Sequence, residues 1–230
     1  MDILSRVSQY KFEIALIVLC VLAIFARSVF LANDIGERDI YYQHVEALKI
    51  KDGENPYERI LGQDLRINKK YSTFLPFSYL LILGLSSLVN YDFVAFTFVL
   101  RLLTLLADFL TAFVLLRIGQ KKRLPFLGLA AAAFWLFSRW SIYNFAQARL
   151  DGIAISLAVL AVYLYRESSK FWPFFVMSFS LGVKQLGVFI LPLFLFDSLR
   201  RRNWADLLRR AALLFSIPLV FSLPFFLRNP

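Results

Sequence analysis

Long apolar stretches recur along this 230-residue chain, and they constrain its fold more than any other feature. A helix needs about 20 mainly apolar residues to cross a bilayer, whereas a transmembrane barrel shows short alternating segments. Hydrophobic residues make up 59% of the chain, above the roughly 45–50% of soluble domains. The sequence therefore predicts an all-α membrane protein, a polytopic bundle of transmembrane helices in one domain over residues 1–230. The clearest stretches are residues 12–31, 93–116, 125–143, 152–165 and 207–226.

Lysine and arginine residues lie in short clusters between the apolar stretches, and the net charge is +10. Such clusters mark the cytoplasmic ends of membrane helices, which argues against a nucleic-acid partner. They share one side only if residues 171–199 cross twice, with a break near Lys184, and if residues 75–89 form a juxtamembrane or re-entrant helix. This arrangement predicts about seven spans, a cytoplasmic N-terminus and an extracytoplasmic or luminal loop over residues 32–92. It leaves open whether the membrane is the cell membrane or that of the endoplasmic reticulum.

The predicted outer loop is the longest polar part of the chain and opens on the acids Asp34, Glu37 and Asp39. Apolar residues at helical spacing then predict an amphipathic helix along the membrane surface. Carboxylates at such a surface can act on lipid-linked substrates, so an active site should include this loop. His44 lies on the apolar side of the predicted helix, which favours packing over catalysis. Cys20 is the only cysteine, so it offers neither a disulfide nor a thiolate metal site.

Charged residues also occur inside an apolar stretch, where each charge costs about 2.5–3.5 kcal/mol at the centre of a membrane helix. Arg101 and Asp108 both lie within residues 93–116. They should face the bundle interior, either as polar contacts between helices or as functional groups.

A second concentration of polar residues lies where the third apolar stretch ends and the fourth begins, on the predicted outer side. Asp151 could cap the following helix, and Arg149 could hold a lipid headgroup or a substrate phosphate. Lys184 could extend to the membrane surface or stabilise a departing phosphate. The residues alone leave these alternatives open. The polar residues of this group are Arg139, Asn144, Gln147, Arg149 and Asp151.

Five short motifs stand in these polar segments. They are Asp39-Ile-Tyr-Tyr42, Gly53-Glu-Asn-Pro-Tyr57, Tyr71-Ser-Thr-Phe-Leu-Pro76, Ala146-Gln-Ala-Arg-Leu-Asp-Gly152 and Gly182-Val-Lys184. In their order and spacing they resemble the GT-C superfamily of polyprenyl-phosphate-sugar-dependent glycosyltransferases, particularly its mannosyltransferase-like members. The resemblance covers nearly the whole chain. It departs from the usual pattern at Glu37-Arg38-Asp39, where two aspartates are usual, and at Ala146, where a glycine is usual.

By this resemblance the chain would be an inverting glycosyltransferase with a seven-helix module and its catalytic acid in the first outer loop. It would move a sugar, such as the hexose mannose, from a polyprenyl-phosphate donor to a lipid-linked, glycan or protein acceptor. Asp39 is then the candidate general base, and Glu37 would orient the acceptor or pair with Arg38. The scheme requires no cofactor, and a divalent cation stays open. The expected donor-phosphate and substrate-binding residues are Arg149, Lys184, Gln147, Asp151, Arg38, Tyr42, Tyr57, Arg101 and Arg139.

Two other classes of function stay open. Members of the superfamily usually continue with further helices after a second large outer loop, so acceptor binding could depend on further helices or a partner subunit. The chain could instead be a non-catalytic subunit that binds or assembles lipid-linked glycans with the same fold. Arg101, Asp108 and the predicted break near Lys184 also suggest a small transporter. The long acidic loop and the lack of inverted repeats speak against a transporter.

Overall fold

The computed structural model describes residues 3–31, 39–55, 57, 74–167 and 171–228. Every regular element among these residues is a helix, so the all-α class predicted from the sequence is confirmed. One of them is a 3-10 helix, Gln185–Ile190. The α-helices are α1 (Ile3–Ser28), α2 (Asp39–Lys51), α3 (Pro76–Ser87), α4 (Phe93–Lys121), α5 (Pro125–Phe137), α6 (Arg139–Ala146), α7 (Asp151–Arg166), α8 (Trp172–Val183), α9 (Leu191–Arg200) and α10 (Trp204–Arg228).

Prolines and one capping side chain set where several helices begin. Pro76, Pro125 and Pro173 stand in the first turns of α3, α5 and α8, where proline's missing N–H and fixed φ suit a helix start. Asp92 caps α4 by accepting a hydrogen bond from the backbone N–H of Ala95 at 2.6 Å. This bond satisfies one of the donors that a helix N-terminus leaves open.

Two of the helices, α4 and α10, are long and apolar enough to cross a membrane, which indicates a membrane protein. The pair of α5 and α6 adds a third candidate span if its 42° bend lies within one crossing. Among the described residues, two or three spans are supported and the predicted seven are not. Helices α3 and α8 have only 12 residues each, about 18 Å against a hydrocarbon core of about 30 Å. Helix α1 has 26 residues, but Lys11, Glu13 and Arg27 interrupt its apolar run.

The chain breaks at Lys184, as the sequence predicted. Helix α8 ends at Val183, and Lys184 has an extended backbone with a ψ of 141°. Ser78 of α3 donates to the carbonyl oxygens of Gly182 at 2.9 Å and Val183 at 2.7 Å. These carbonyls lie in the last turn of α8, where a helix leaves its acceptors without internal partners. Helix α3 therefore stabilises the break in the helix at which Lys184 lies.

Helix α2 lies on α3 and α4 because its apolar side is buried. Ile40 and Ala47 share a core cluster with Tyr79 and Ile82 of α3 and Phe96 of α4. The amphipathic helix predicted in this part of the chain is thus present. Its placement on the bundle fixes the position of its first residue, which is the candidate general base.

A buried ion pair joins α1, α4, α5 and α6. Arg27 Nη2 lies 3.2 Å from Asp108 Oδ2, and both side chains are 1% exposed. Arg27 also donates to the carbonyl of Leu136 at 2.8 Å and to Ser141 Oγ at 2.6 Å. Ser141 donates in turn to Asp108 at 2.6 Å, and Trp135 Nε1 donates to the second carboxylate oxygen at 3.1 Å. The sequence left two roles open for Asp108, a polar contact between helices or a functional group, and the structure shows the polar contact.

Candidate functional site

Asp39 is the first residue of α2, and its side chain is 51% exposed. The N-terminal end of a helix carries a partial positive charge, which favours an ionised carboxylate there. Asp39 Oδ2 lies 3.6 Å from Nη2 of Arg149, which makes them an ion pair across two separate segments. The exposed acid and the arginine form the centre of the candidate site.

A tight turn between α6 and α7 presents Arg149 to the site. Ala148 has a φ of 48°, in the left-handed region that few residues other than glycine adopt. The N–H of Arg149 donates to the carbonyl of Asn144 at 2.9 Å. The guanidinium stacks over the ring of Tyr143, 4.8 Å from its centroid, and donates to its hydroxyl at 3.2 Å. These contacts hold the Arg149 side chain beside Asp39.

A second ion pair, between Lys184 and Asp151, lies next to the pair of Asp39 and Arg149. Lys184 Nζ is 2.7 Å from Asp151 Oδ2, and the side chains are 24% and 16% exposed. The ammonium also lies 5.4 Å from the ring centroid of Phe74, at cation–π distance. Asp151 is the first residue of α7 but does not cap it, since Leu150 occupies the cap position without a side-chain bond. The capping role considered for Asp151 is therefore wrong, and its carboxylate pairs with Lys184.

Two clefts flank the pair of Asp39 and Arg149. The larger, about 450 Å³ including its open mouth, is also lined by Tyr143 and Gln147. The smaller, about 250 Å³ including its open mouth, lies beside Lys184 and Asp151. Its lining is Asp39, Ile40, Gln43, Phe74, Arg149, Leu150, Asp151 and Lys184. Two positive and two negative side chains thus face a connected surface where an anionic group and a hydroxyl could be held side by side.

Five of the predicted site residues come together at these clefts. They are Asp39, Gln147, Arg149, Asp151 and Lys184. Glu37, Arg38 and the neighbouring Asp34 lie outside the described residues.

Four other predicted site residues do not line either cleft. Arg101 is buried and donates to the carbonyls of Leu31 at 2.9 Å and Ala146 at 3.0 Å, so it fixes the ends of α1 and α6. Tyr57 donates from its hydroxyl to the carbonyl of Phe74 at 2.7 Å, and burial raises its pKa. The other two are Arg139, exposed at the first residue of α6, and Tyr42, half-buried against Tyr41 on α2.

Gln43, Phe74 and Tyr143 line the clefts and were not predicted as site residues. Gln43 stands four residues after Asp39, a spacing that places both on one face of α2. Its amide oxygen is buried and has no hydrogen-bond partner within the described part of the chain. The four-residue spacing from Asp39 could have indicated that Gln43 faces the site. It was not used because a polar residue on an amphipathic helix ordinarily faces water.

His44 packs rather than lining the site, as its position on the apolar side of α2 predicted. Its ring lies between Phe93 and Phe96, with centroid distances of 5.3 Å and 4.9 Å. Burial lowers the pKa of His44, and the nearby Asp92 carboxylate opposes that shift. Its role is to seat α2 on the start of α4.

No three histidine, cysteine, aspartate or glutamate side chains of the described residues lie close enough together to hold a metal ion. The comparisons with known proteins return no matching family model, no matching curated protein and no matching solved structure.

Proposed function

We propose that this protein is a membrane glycosyltransferase of the GT-C type, which moves a sugar from a polyprenyl-phosphate donor with inversion at the anomeric carbon. The sugar would be a hexose such as mannose, and the acceptor a lipid-linked, glycan or protein hydroxyl. The observation that carries the proposal is the half-exposed carboxylate of Asp39, 3.6 Å from the Arg149 guanidinium. Lys184 and Asp151 line the adjoining cleft. A base beside two phosphate-binding cations suits transfer from a sugar phosphate.

In the proposed reaction, the acceptor oxygen attacks the anomeric carbon while Asp39 takes its proton. The bond from that carbon to the phosphate oxygen breaks as the new glycosidic bond forms. Charge grows on the leaving lipid phosphate, and Arg149 and Lys184 stabilise it. A carboxylate is a weak base, so proton transfer must be late and concerted with bond formation. Correct placement of Asp39 on α2 is therefore essential to this scheme.

Both cations have acid partners, and the donor phosphate must share or replace these contacts. Exposed ion pairs contribute only about 0–1 kcal/mol, so exchange of one partner costs little. The Arg149 pair is the more exposed of the two, with side chains 34% and 51% accessible. A guanidinium can also contact phosphate and carboxylate at once through its several donors. We place the donor phosphate at Arg149 and the acceptor hydroxyl beside Asp39.

The proposal extends to topology. The site would face the extracytoplasmic or luminal side, with the N-terminus in the cytoplasm and about seven membrane crossings. Short helices such as α8 and α9 would cross as parts of interrupted spans. The basic clusters of the sequence support this orientation.

Replacement of Asp39 by Asn tests the proposed activity. Asn keeps the size of the side chain but cannot accept a proton, so transfer from a polyprenyl-phosphate sugar to an acceptor should fall about 10²–10⁴-fold. The measurement is product formation by the purified protein in lipid, with a panel of donors. Asp52→Asn is the matched control, since Asp52 is an exposed acid just after α2. Full activity in Asp39→Asn would exclude the proposed role of this carboxylate.

A non-catalytic subunit that binds lipid-linked glycans is the second candidate, because each acid in the clefts is already paired with a base. It predicts that donor binds with the same affinity to the unchanged protein and to Asp39→Asn, without product for any acceptor. Donor-dependent thermal stabilisation reports binding independently of turnover, so stabilisation of the unchanged protein without product from any acceptor would favour the non-catalytic subunit.

A further inference from the structure

Four arginines form an exposed surface on the turn between α9 and α10. Arg200 ends α9, Arg201 and Arg202 lie in the turn, and Arg209 is in the second turn of α10. All four residues are exposed. We call this group the arginine surface.

The positive charge of the arginine surface is not neutralised locally. No carboxylate of the described residues lies within ion-pair distance of any of the four. The acids nearest in sequence have other partners: Asp206 pairs with Arg210 at 2.8 Å, and Asp197 accepts a hydrogen bond from the Tyr165 hydroxyl at 3.4 Å. These four arginines therefore differ from Arg210, which pairs with a carboxylate of its own helix.

Large apolar side chains are exposed beside the arginines. Trp204 is 64% exposed and begins α10, and Leu208 is 70% exposed one turn later. Phe196 and Leu199 of α9 are 59% and 55% exposed. Tryptophan is enriched at the level of the lipid headgroups, and aliphatic side chains prefer the acyl chains below. The arginines therefore stand at the height of lipid phosphates if α10 crosses the bilayer.

The arginine surface and the candidate site lie at opposite ends of the same helices. Helix α7 begins at Asp151 in the site and ends at Arg166. Helix α10 begins beside the arginines. Near its other end, the ring of Phe225 lies 5.6 Å from the ring of Tyr57. The Tyr57 hydroxyl donates to the carbonyl of Phe74, which lines the small cleft. A ligand of the arginine surface is accordingly different from the substrates of the site.

We propose that the arginine surface binds the phosphate groups of anionic phospholipids in the leaflet opposite the candidate site. Guanidinium groups bind phosphate oxygens in pairs of parallel hydrogen bonds. The N-terminal end of the 25-residue helix α10 adds partial positive charge beside them. The apolar side chains select a lipid over a soluble phosphate because they contact its acyl chains. The role does not depend on the proposed activity.

Lipid-dependent thermal unfolding tests the proposal. The purified protein in uncharged detergent micelles is titrated with phosphatidylglycerol, and tryptophan fluorescence gives the unfolding temperature at each lipid concentration. The unchanged protein should be stabilised by phosphatidylglycerol and much less by phosphatidylcholine. The triple variant Arg201→Gln, Arg202→Gln and Arg209→Gln should need about 100-fold more phosphatidylglycerol for half the shift, since each basic residue contributes about fivefold near an anionic surface.

The matched control removes the same charge elsewhere at that end of the bundle. It is the triple variant Lys122→Gln, Arg123→Gln and Arg166→Gln, all three exposed, and its midpoint should change less than that of the first triple variant. Equal loss in both triple variants would overturn the proposal, as would an unchanged midpoint in the first. Equal stabilisation by glycerol 3-phosphate would also overturn it, since that result identifies a soluble phosphate as sufficient. If the triple variant does not fold, Arg202→Gln and Arg209→Gln alone should each weaken the response about fivefold.

Discussion

Single side chains define the candidate site, and each charged one has a counterpart. Asp39 faces Arg149, and Asp151 faces Lys184. Opposite charges at these distances keep the clefts close to neutral before a ligand binds. In the proposed reaction, an incoming phosphate would replace one anionic partner of a cation with another, which avoids leaving that cation desolvated and unpaired. Gln43 differs from these four because its buried amide oxygen has no partner among the described residues.

The amide of Gln43 provides a prediction that links stability to activity. A buried acceptor without a hydrogen bond costs about 1–3 kcal/mol, so Gln43→Met should raise the free energy of unfolding by about 1 kcal/mol. If the oxygen accepts a hydrogen bond from a substrate hydroxyl, the same change should lower kcat/KM about fivefold. Chemical denaturation and initial rates of transfer measure the two effects.

Ser86 of α3 supplies the matched control for Gln43. Its hydroxyl is also buried without a partner among the described residues, but it lines neither cleft. Ser86→Ala should stabilise the protein to a similar degree with unchanged kcat/KM. A Gln43→Met protein that is more stable and equally active would show that the amide does not contact substrate.

The sequence singled out the charged residues of the candidate clefts and one neutral residue, Gln147, but not Gln43, Phe74 or Tyr143. Asp39 was selected by the motif resemblance, and Arg149 and Lys184 by their charge at the predicted outer ends of apolar stretches. Gln43 and Tyr143 carry no charge and fit ordinary positions on a surface helix. Arg101 was predicted as a site residue because a charge inside an apolar stretch is costly, yet its guanidinium donates to two backbone carbonyls. Charge alone does not distinguish a ligand contact from a structural one.

At the scale of helices, the interruptions position the site. The break at Lys184 was predictable because glycine and lysine interrupt an overlong apolar stretch. The bend between α5 and α6 was not, since residues 125–143 were read as one span. Ser138 stops α5 there, with a ψ of 142°, and accepts a hydrogen bond from the N–H of Ser141 at 3.1 Å. The partners that stabilise this bend, Arg27 and Asp108, are distant in sequence, so no local pattern reveals it.

Removal of the Asp108 charge should disturb this bend. Asp108→Asn leaves Arg27 buried without its counter-charge, which should lower the free energy of unfolding by about 3–5 kcal/mol. Helix α6 bonds the pair through Ser141 and carries Tyr143 of the larger cleft two residues later, so transfer activity should fall as well. Denaturant titration in micelles measures the first effect.

A double variant distinguishes loss of the Arg27–Asp108 ion pair from a general loss of stability. Arg27→Met combined with Asp108→Asn removes both charges and should be more stable than Asp108→Asn alone. The exposed Asp197→Asn should change stability by no more than about 0.5 kcal/mol. If the two buried substitutions are simply additive, the ion pair does not couple the helices.

The whole molecule has two chemically different ends. Helix α7, about 24 Å long from its 16 residues, begins at the acid–base pairs and ends where the basic clusters gather. Helices α8 and α10 run the other way, from Trp172 and Trp204 toward the clefts. The two ends of the bundle therefore differ in their charged groups, and this difference is consistent with the proposed direction in a bilayer. The basic clusters of the sequence predict this direction. The described helices support two or three spans where the apolar stretches predicted about seven, because hydropathy counts apolar residues and not the breaks between helices.

The direction of the bundle gives the last prediction, which uses cysteine labelling in intact cells. In a Cys20→Ala background, Glu54→Cys should react with a membrane-impermeant maleimide from outside, and Lys122→Cys should react only after permeabilisation. Both positions are exposed, so a difference in labelling reports the side of the membrane and not burial of the cysteine. Gly119 would be a poor choice at this end, since a Cβ there would lie 2.6 Å from Cα of Gly128. Labelling of Lys122→Cys from outside would reverse the proposed orientation and place the candidate site on the cytoplasmic side. Asp39 would then face the sugar donors and acceptors of the cytoplasm instead of those outside the cell.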